Sequence, residues 1–495
     1  MISSRSIPVR GMTLLFVVVA TGAKMLALEP PVLTWITNSS VKLEQIIGDC
    51  DWDVYWHSNY ACLPTASATS NRFGVLGDGQ LSSFENNGRV IVIGGDAISG
   101  DPTYHNLHAF DPIGYSTTTD PEAGFLINFS TNADGSTVFV RNFGTNSVEM
   151  GGDDLPTSGI TLPDGTYLFI HTGETNKTDQ YVYSLLVRAD DIALTNFTVG
   201  RSVSSNAYNG HFVRGALHAA GTNVCTFGMG KYRASSIYLS IVSAANFWTG
   251  TGTMYYTGTS NGQPVWDAYE SNAAPLLTNY ASVGNASVAC STNLGLWLMT
   301  FDAGWNDTNV INGIYFTYAA EPWGPWAEPQ LIFDKRRDDH ALGRYIHQGI
   351  SSNNCSAGDG LNGPIIDQNK DPCPVDGEAF APMLIERFIT ISNNTLRLYY
   401  TMGTFNPYTV VKMRSQFSIR PVIDAASLVH KKNKFSFSWT APTNGSYYVS
   451  YSTNLSGGWT TFTDIVTSAT GTFNFTNTQP GGLPGQGFYR LQSSP

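Results

Sequence analysis

The feature that most constrains the fold is a long succession of short strand-like segments between about Asn71 and Ser415. Runs of β-branched, aromatic and aliphatic residues alternate with turns rich in Gly, Asn and Asp, which is typical of β-structure. Clear examples are Arg89–Ile93, Thr166–Ile170, Ile314–Tyr318 and Leu396–Met402. No helical periodicity extends beyond two or three turns, so the sequence predicts an all-β chain.

A loose internal repeat runs through the same region. Segments of alternating aromatic and aliphatic residues end in a small or charged residue at Tyr183–Ala189, Tyr238–Ala244, Tyr315–Ala320 and Thr409–Ser415. Each of these segments follows another strand and a Gly-containing turn. Units of four strands spread over ~350 residues favour a β-propeller, and a large β-sandwich or two stacked jelly rolls are the alternatives.

The pattern of strand-like segments changes after Arg420-Pro421. Six or seven short strands fill the remainder, which predicts a separate small β-sandwich of fibronectin-like size. Its role could be glycan binding, surface attachment or spacing, and a spacer is the simplest interpretation. The predicted division is a signal peptide (1–28), an N-terminal segment (29–70), a propeller (71–418) and the module (419–495).

Composition limits the class of partner. Only 13% of the 495 residues are charged, against about 25% in an average protein. The net charge is −11, and no basic run is longer than Lys431-Lys432. Such a chain cannot neutralise a row of phosphates, so nucleic acid is excluded as a partner, and neutral ligands fit better.

The first residues have the pattern of a secretory signal peptide. Arg5 and Arg10 precede the apolar run Met12–Ala20, and small residues follow it. We expect cleavage between Ala23 and Leu28 and an extracellular protein with no membrane attachment. An uncleaved anchor is the alternative, but the apolar run is too short to span a bilayer comfortably.

Six cysteines fit an oxidising compartment. Short loops favour the disulfides Cys50–Cys62 and Cys355–Cys373, which leaves Cys225–Cys290 to join two strand-like segments. No Cys-x-x-Cys pair occurs, so neither zinc nor another metal or cofactor is predicted. Sequons for N-glycosylation, which predict a glycoprotein in a host that glycosylates exported chains, begin at Asn128, Asn176, Asn196, Asn306, Asn393, Asn444 and Asn474.

A set of landmarks in fixed order resembles one family. The landmarks are Gly77-Asp78-Gly79, Gly94-Gly95-Asp96-Ala97, His105-Asn106, Asp120–Gly124, Leu155–Gly159, Phe227-Gly228 with Tyr232-Arg233, Val283–Val288, Pro322–Trp326 and Phe405–Tyr408. Together they look like the secreted family called domain of unknown function 4185, which includes endo-D-arabinanases on a five-bladed β-propeller. The resemblance therefore implies a five-bladed propeller and a glycoside hydrolase acting on furanosidic linkages.

One position departs from the family pattern. The family usually has a Glu where this chain has Asn285, in the stretch Gly284–Val288. If that Glu serves catalysis, activity is lost or changed here. If it only positions substrate, the Asn285 amide could still hydrogen-bond a sugar.

Glycosidic cleavage needs two carboxyl groups, and Asp78 and Asp96 are the candidates. Asp96 follows a strongly apolar strand and lies eighteen positions after Asp78. Inner strands of a propeller deliver their end residues to the mouth of the central channel, so the two acids can converge there. We expect Gly94 and Gly95 to leave room for a sugar ring. The alternative is that Asp96 caps a turn and Asp78 is a solvated loop acid.

Other residues are candidates for holding the sugar, each with a structural alternative. The alternative role of Tyr408 is to form a turn, that of Arg233 is to form a structural salt bridge, and that of Trp323 is to pack at the edge of a sheet. Glu378 is the reserve acid. The complete predicted binding set is Asn106, Arg233, His347, Glu378, Trp323 and Tyr408.

The sequence therefore predicts a secreted, monomeric glycoside hydrolase that acts on a polysaccharide, such as an arabinan, by paired Asp catalysis. One alternative is a propeller that binds carbohydrate without turnover. Another is a cell-surface adhesion protein in which both β domains only present surfaces.

Overall fold

The computed structural model describes residues 30–51, 62–99, 111–135, 137, 155–173, 181–205, 210–305, 307–338, 346, 361, 363–364, 377–405, 407–431, 434–453, 458–462, 464–478 and 488–493. The predicted signal peptide (1–28) lies outside these residues. Strands dominate the regular structure and the helices are short, so the all-β prediction is confirmed. No helix in the described part has the length and apolar character needed to cross a membrane.

The N-terminal segment contains short elements. They are β1 (Val32–Trp35), β2 (Val41–Gln45), β3 (Cys50–Asp51), β4 (Leu63–Pro64), α1 (Thr69–Phe73) and β5 (Val75–Gly77). β3 pairs with β4, and a Cys50–Cys62 disulfide links the same two stretches, as the short loop predicted.

Two four-stranded antiparallel sheets follow. The first contains β6 (Gln80–Asn86), β7 (Arg89–Gly95), β9 (Ile113–Ser116) and β10 (Asn128–Phe129), while β8 (Ile98–Ser99) pairs with β5. The second contains β11 (Leu155–Leu162), β12 (Gly165–Gly173), β13 (Tyr181–Ala189) and β14 (Phe197–Ser205). In both sheets consecutive strands are neighbours.

Three more sheets continue this pattern. The third contains β15 (Arg214–Ala220), β16 (Asn223–Met229), β17 (Ile237–Ser243), β18 (Met254–Ser260) and β19 (Gln263–Asp267). The fourth contains β20 (Ala286–Ser291), β21 (Leu296–Ala303), β22 (Gly313–Ala319) and β23 (Gln330–Phe333), and α2 (Lys335–Asp338) follows it. The fifth is built on β24 (Glu378–Leu384), β25 (Thr390–Ser392), β26 (Thr395–Phe405) and β27 (Thr409–Arg420). Single 3₁₀ turns cover Ala244–Asn246, Glu270–Asn272 and Glu386–Phe388.

The innermost strands of these five sheets form a closed ring of contacts. The innermost strands β6, β11, β15, β20 and β24 contact one another in that order, and β24 contacts β6 again. Five apolar clusters fill the spaces between neighbouring sheets. Burial of these apolar faces is the main force that holds the ring together.

Side chains complete the ring by hydrogen bonds to the backbone of the next sheet. Backbone ladders end at each sheet edge, so the innermost edges need other donors and acceptors. An example from each pair of neighbouring sheets is Gln80–Pro156, Thr157–Gly215, Arg214–Gly284, Ser287–Leu384 and Thr401–Leu81. Hydroxyl, amide and guanidinium side chains therefore help to close the ring.

The N-terminal strands belong to the last sheet. β1 and β2 both pair antiparallel with β27, so the beginning of the chain reinforces the sheet formed at residues 378–420. This long-range connection was not predicted from the sequence.

The C-terminal residues form two further sheets with their own core. One contains β28 (Val422–Ile423), β29 (Val429–Lys431), β30 (Lys434–Thr440) and β34 (Thr472–Thr478), with a 3₁₀ turn at Ala425–Ser427. The other contains β31 (Ser446–Ser452), β32 (Thr460–Thr461), β33 (Val466–Thr467) and β35 (Phe488–Ser493). Both contribute to one aromatic cluster around Trp439.

The predicted Cys225–Cys290 disulfide is wrong, because both residues are free thiols. Cys225 lies on β16 and Cys290 on β20, in the apolar layer between the third and fourth sheets. The ladders of two separate sheets fix their positions, and a buried thiol packs there as a small apolar group. Cys355 and Cys373 lie outside the described residues.

Candidate active site

A cavity of about 360 Å³ lies at the end of the ring where the innermost strands begin. The first residues of β6, β11, β15 and β24 line it, together with Asn285 just before β20. The complete lining is Gly79, Gln80, Gly95, Asp96, Leu155, Arg214, Tyr232, Arg233, Asn285, Trp305, Glu378, Phe380, Phe405 and Tyr408. The cavity is large enough for a small ligand and combines aromatic with charged groups.

Asp78 lies beneath the wall of this cavity and is completely buried. Its Oδ1 accepts hydrogen bonds from the backbone N–H groups of Gly95 (2.9 Å) and Gln80 (3.1 Å). Its Oδ2 has no hydrogen-bond partner in the described structure. Burial raises the pKa of Asp78 well above its ordinary value, and the charge of Asp96 acts in the same direction. This carboxyl group is therefore suited to hold a proton where most aspartates are ionised.

Asp96 lines the cavity directly. It follows β7 in the left-handed region with φ = 61°, a conformation that Asp adopts more readily than most residues. Its backbone N–H donates to Oδ1 of the buried Asp111 at 3.0 Å, which fixes the turn. The structure thus places Asp96 on the cavity and Asp78 beneath its wall, close enough to interact electrostatically.

The two glycines before Asp96 lie against protein atoms that a side chain would displace. A Cβ added at Gly94 would lie 2.2 Å from Asp78 Oδ2, and one at Gly95 would lie 2.0 Å from Leu155 Cδ1. Gly94 leaves room for the Asp78 carboxyl group and does not line the cavity, so the expectation of room for a sugar ring is wrong for Gly94. Gly95 leaves room for the Leu155 side chain but also lines the cavity, so for Gly95 the expectation stays a prediction.

Arg233 lies on the cavity wall in a stack of cations and aromatic rings. Its guanidinium carbon lies 3.2 Å from the Trp305 ring centroid and 4.6 Å from that of Tyr232. The buried Arg214 lies 4.4 Å from the same Tyr232 ring. Aromatic faces attract cations, so these four side chains form a continuous wall. The predicted salt-bridge alternative for Arg233 is not observed among the described residues.

Asp302, at the end of β21, is a second fully buried carboxyl group beside the cavity. Its Oδ1 accepts the backbone N–H groups of Asn285 (2.8 Å) and Ala381 (3.1 Å), and its Oδ2 accepts the Trp305 indole N–H at 2.7 Å. Burial raises the pKa of Asp302, while the Trp305 hydrogen bond and the positive charge of Arg233 lower it.

Two other predicted residues also line the cavity. Glu378 accepts a hydrogen bond from Lys335 at 2.7 Å in an ion pair, so this reserve acid is engaged in a structural contact. Tyr408 is buried, and a Cβ added at Gly79 would lie 2.2 Å from its hydroxyl oxygen. The chain therefore passes closely over Tyr408 at a glycine.

Trp323 does not line the cavity. Its ring meets Trp266 edge-on at 6.2 Å and packs on the apolar cluster between the third and fourth sheets. The sheet-edge alternative describes this packing, and a sugar contact by Trp323 stays a prediction. Asn106 and His347 lie outside the described residues.

Sequence reasoning missed Asp302, Arg214 and Asp111. A usable signal existed for Asp302, because it ends the apolar stretch Leu296–Phe301 just as Asp96 ends an apolar strand. Arg214 carries no local signal, since it is an isolated charge at the start of a strand. Within the described residues, no group of three or more His, Cys, Asp or Glu side chains is placed to hold a metal ion.

Comparisons with solved structures give distant likenesses. A glycosyl hydrolase from Bacteroides ovatus is 9% identical, with a TM-score of 0.41 over 78% of this chain and 94% of that one. An exo-β-1,3-galactanase from Phanerochaete chrysosporium is 7% identical, with a TM-score of 0.38 over 90% and 95%. The α-L-arabinofuranosidase PaAbf62A from Podospora anserina is 14% identical, with a TM-score of 0.37 over 78% and 98%.

Comparison with curated proteins gives no match. Comparison with protein families gives a clear one, since one family model matches residues 65–414. The matched region runs from the turn before α1 to β27 and includes every residue that lines the cavity. The chain therefore belongs to the family described as domain of unknown function (DUF4185).

Proposed function

We propose that this chain is an exported glycoside hydrolase that cleaves a polysaccharide, with arabinan-like furanosides as the first candidates. In this proposal residues 71–418 form a five-bladed β-propeller with Asp78 and Asp96 as its catalytic pair. Residues 419–495 form a β-sandwich that acts as a spacer. The spacer contacts the ring through the turns at Asn293 and Asn394, at the end opposite the cavity.

The observation that carries this proposal is the unequal environment of two interacting carboxyl groups at one cavity. Asp78 is buried with a raised pKa, whereas Asp96 lies on the cavity surface. Glycosidases need one protonated and one ionised carboxyl group, and different environments are how proteins separate the two roles.

The roles follow from these environments. Asp78 would donate its proton to the glycosidic oxygen as the bond between that oxygen and the anomeric carbon breaks. Asp96 would either take a proton from the attacking water or attack the anomeric carbon itself. Both routes consume one water and produce one new reducing end. The Oδ2 atom of Asp78, which has no hydrogen-bond partner in the described structure, is the atom suited to carry the proton.

The test is release of reducing ends from arabinan, galactan, xylan and β-glucan by the purified protein. Asp78→Asn and Asp96→Asn should each lower the rate about 10²–10⁴-fold, the usual contribution of an acid–base group. Asp191→Asn is the matched control, because Asp191 binds only its own loop at Thr195 and Asn196. Full turnover by either cavity variant would refute that residue's role.

One observation favours a propeller that binds carbohydrate without turnover. Asp78 has no exposed surface. Asn285 lines the cavity at the position where the family usually has a Glu, so a carboxylate that could serve catalysis is replaced by an amide. This alternative predicts saturable binding of an oligosaccharide with no reducing ends released. An adhesion role predicts no binding in a glycan array.

A further inference from the structure

Arg233 carries donor groups that the described protein does not use. Its backbone N–H bonds to Val283, but its guanidinium makes no hydrogen bond with any described residue. Its surroundings are the faces of Trp305, Tyr232 and Phe380, the last at 6.0 Å. Aromatic faces hold a cation in place but accept none of its N–H bonds, so these donors remain for a ligand in the cavity.

A hydrogen bond to the buried Asp302 fixes the orientation of the Trp305 indole ring. The indole N–H donates to Asp302 Oδ2 at 2.7 Å, and a hydrogen bond to a buried carboxylate is among the stronger ones. Rotation of the indole would break this bond, and would also remove the face on which Arg233 lies. Asp302 is completely buried, so it acts on a ligand only through these two side chains.

Asp302 is itself fixed by two sheets. Its Oδ1 accepts N–H groups from Asn285, just before β20 of the fourth sheet, and from Ala381 on β24 of the fifth. A Cβ added at Gly284 would lie 1.9 Å from Oδ2, so the local backbone leaves space only for this carboxyl group. The arrangement is rigid, which is what a positioning residue requires.

The charges around the cavity do not favour an anion. Three described cations, Arg214, Arg233 and Lys335, lie there with a larger number of carboxyl groups, which are those of Asp78, Asp96, Asp111, Asp302 and Glu378. An anionic group bound in the cavity would lie near Asp96. Sugar hydroxyl and ring oxygens accept hydrogen bonds from a guanidinium without adding charge.

We propose that Arg233, lying on Trp305, forms a subsite for the oxygen atoms of an uncharged sugar, and that Asp302 is its positioning residue. This deepens the proposed function and rests on its assumption that the cavity receives a glycan. Arg233 provides the donors, Trp305 provides the platform, and Asp302 fixes the platform.

Calorimetric titration tests the subsite with neutral arabino-oligosaccharides, and with oligogalacturonate and its methyl ester as a pair that differs in charge. Arg233→Gln should weaken the neutral ligand at least tenfold. Arg89→Gln is the matched control, because Arg89 lies on a ring outside the cavity, 4.4 Å from the centroid of Tyr115. This variant should bind the neutral sugar with wild-type affinity. Unchanged affinity in Arg233→Gln overturns the subsite, and so does tenfold tighter binding of the uronate than of its ester.

Tryptophan fluorescence tests the positioning role without any turnover. The fluorescence of Trp305 is obtained as the difference between the emission of the wild type and that of Trp305→Phe. In Asp302→Asn, acrylamide should quench the Trp305 fluorescence more strongly, and the affinity for the neutral sugar should fall. An unchanged Trp305 signal together with unchanged affinity refutes the role of Asp302.

Two further outcomes separate this proposal from the hydrolase proposal. Should Asp302→Asn fail to fold, Trp305→Phe still keeps the aromatic platform and removes its hydrogen bond, so its sugar affinity should fall severalfold. Sugar binding that depends on Arg233 without any hydrolysis would overturn the hydrolase and support the subsite. A wild type that binds none of these neutral sugars would overturn the subsite.

Discussion

Gly94→Ala is a sharp perturbation of the proposed catalytic pair, Asp78 and Asp96, because it changes no functional group. The added Cβ would lie 2.2 Å from Asp78 Oδ2 and 2.8 Å from Pro112 Cδ. Ordinary contact begins at 3.4 Å, so the carboxyl oxygen or the backbone must move by about 1 Å. Asp78 is bound by two backbone N–H groups and Pro112 is a rigid ring, so neither neighbour yields easily.

The expected magnitudes follow from this displacement. Overpacking in a well-packed interior lowers the free energy of unfolding by about 1–3 kcal/mol, which reduces Tm by several degrees. A misplacement of ~1 Å at a reacting group lowers turnover about 10²-fold. We therefore expect Gly94→Ala to remain folded, with a modestly lower Tm and a much larger loss of rate.

Gly458→Ala is the control, since a Cβ there meets no atom within 4 Å. Initial rates of reducing-end release and thermal melts should be measured for both variants and the wild type. A Gly94→Ala protein with wild-type rate would refute the reasoning, because the carboxyl group under Gly94 would then have no part in the reaction. An equal loss in Gly458→Ala would show that the assay reports general stability.

Three other results are expected. Burial raises the pKa of Cys225 to about 12, so iodoacetamide at neutral pH should label Cys225 only after unfolding. Burial raises the pKa of Asp78, so the folded chain binds this proton more tightly than the unfolded chain does. The protonated Asp78 therefore stabilises the wild type at low pH, and this contribution is lost as pH rises through the raised pKa of the folded state. Measured by urea titration, the stability of Asp78→Asn relative to the wild type should increase with pH. Trp323→Ala should lower Tm, through a loss of up to about 3 kcal/mol of unfolding free energy, and leave sugar affinity within twofold, because Trp323 packs between sheets.

Of the two proposed catalytic acids, Asp96 has a local signal in the sequence. A carboxylate directly after a strongly apolar strand is costly to bury without a purpose, and both Asp96 and Asp302 have this context. The order of the landmarks then identified Asp78, whose burial the sequence does not reveal. The same local reasoning failed for Gly94, because the atom that needs its space belongs to a residue sixteen positions earlier.

The rest depends on contacts between sheets, which local patterns do not encode. The Gly-Pro turn beside Trp323 suggests a surface position from the sequence. Only the position of Trp266 in the neighbouring sheet shows that Trp323 packs against protein. Cys225 and Cys290 were paired by elimination, although their two strands belong to different sheets. The pairing of β1 with β27 joins residues nearly 400 positions apart, and no turn chemistry announces it.

Ring closure and the cavity depend on the same inner-strand residues, and this explains why the site resists prediction. Gln80 and Arg214 each bond to the backbone of the next sheet and also line the cavity, so one side chain holds the ring and shapes the site. Asp302 joins the fourth and fifth sheets while it orients Trp305. A substitution at such a position changes the distance between two sheets as well as a side chain facing the cavity. The geometry of the site is consequently a property of the closed ring, whereas the identity of its acids is a property of single strands.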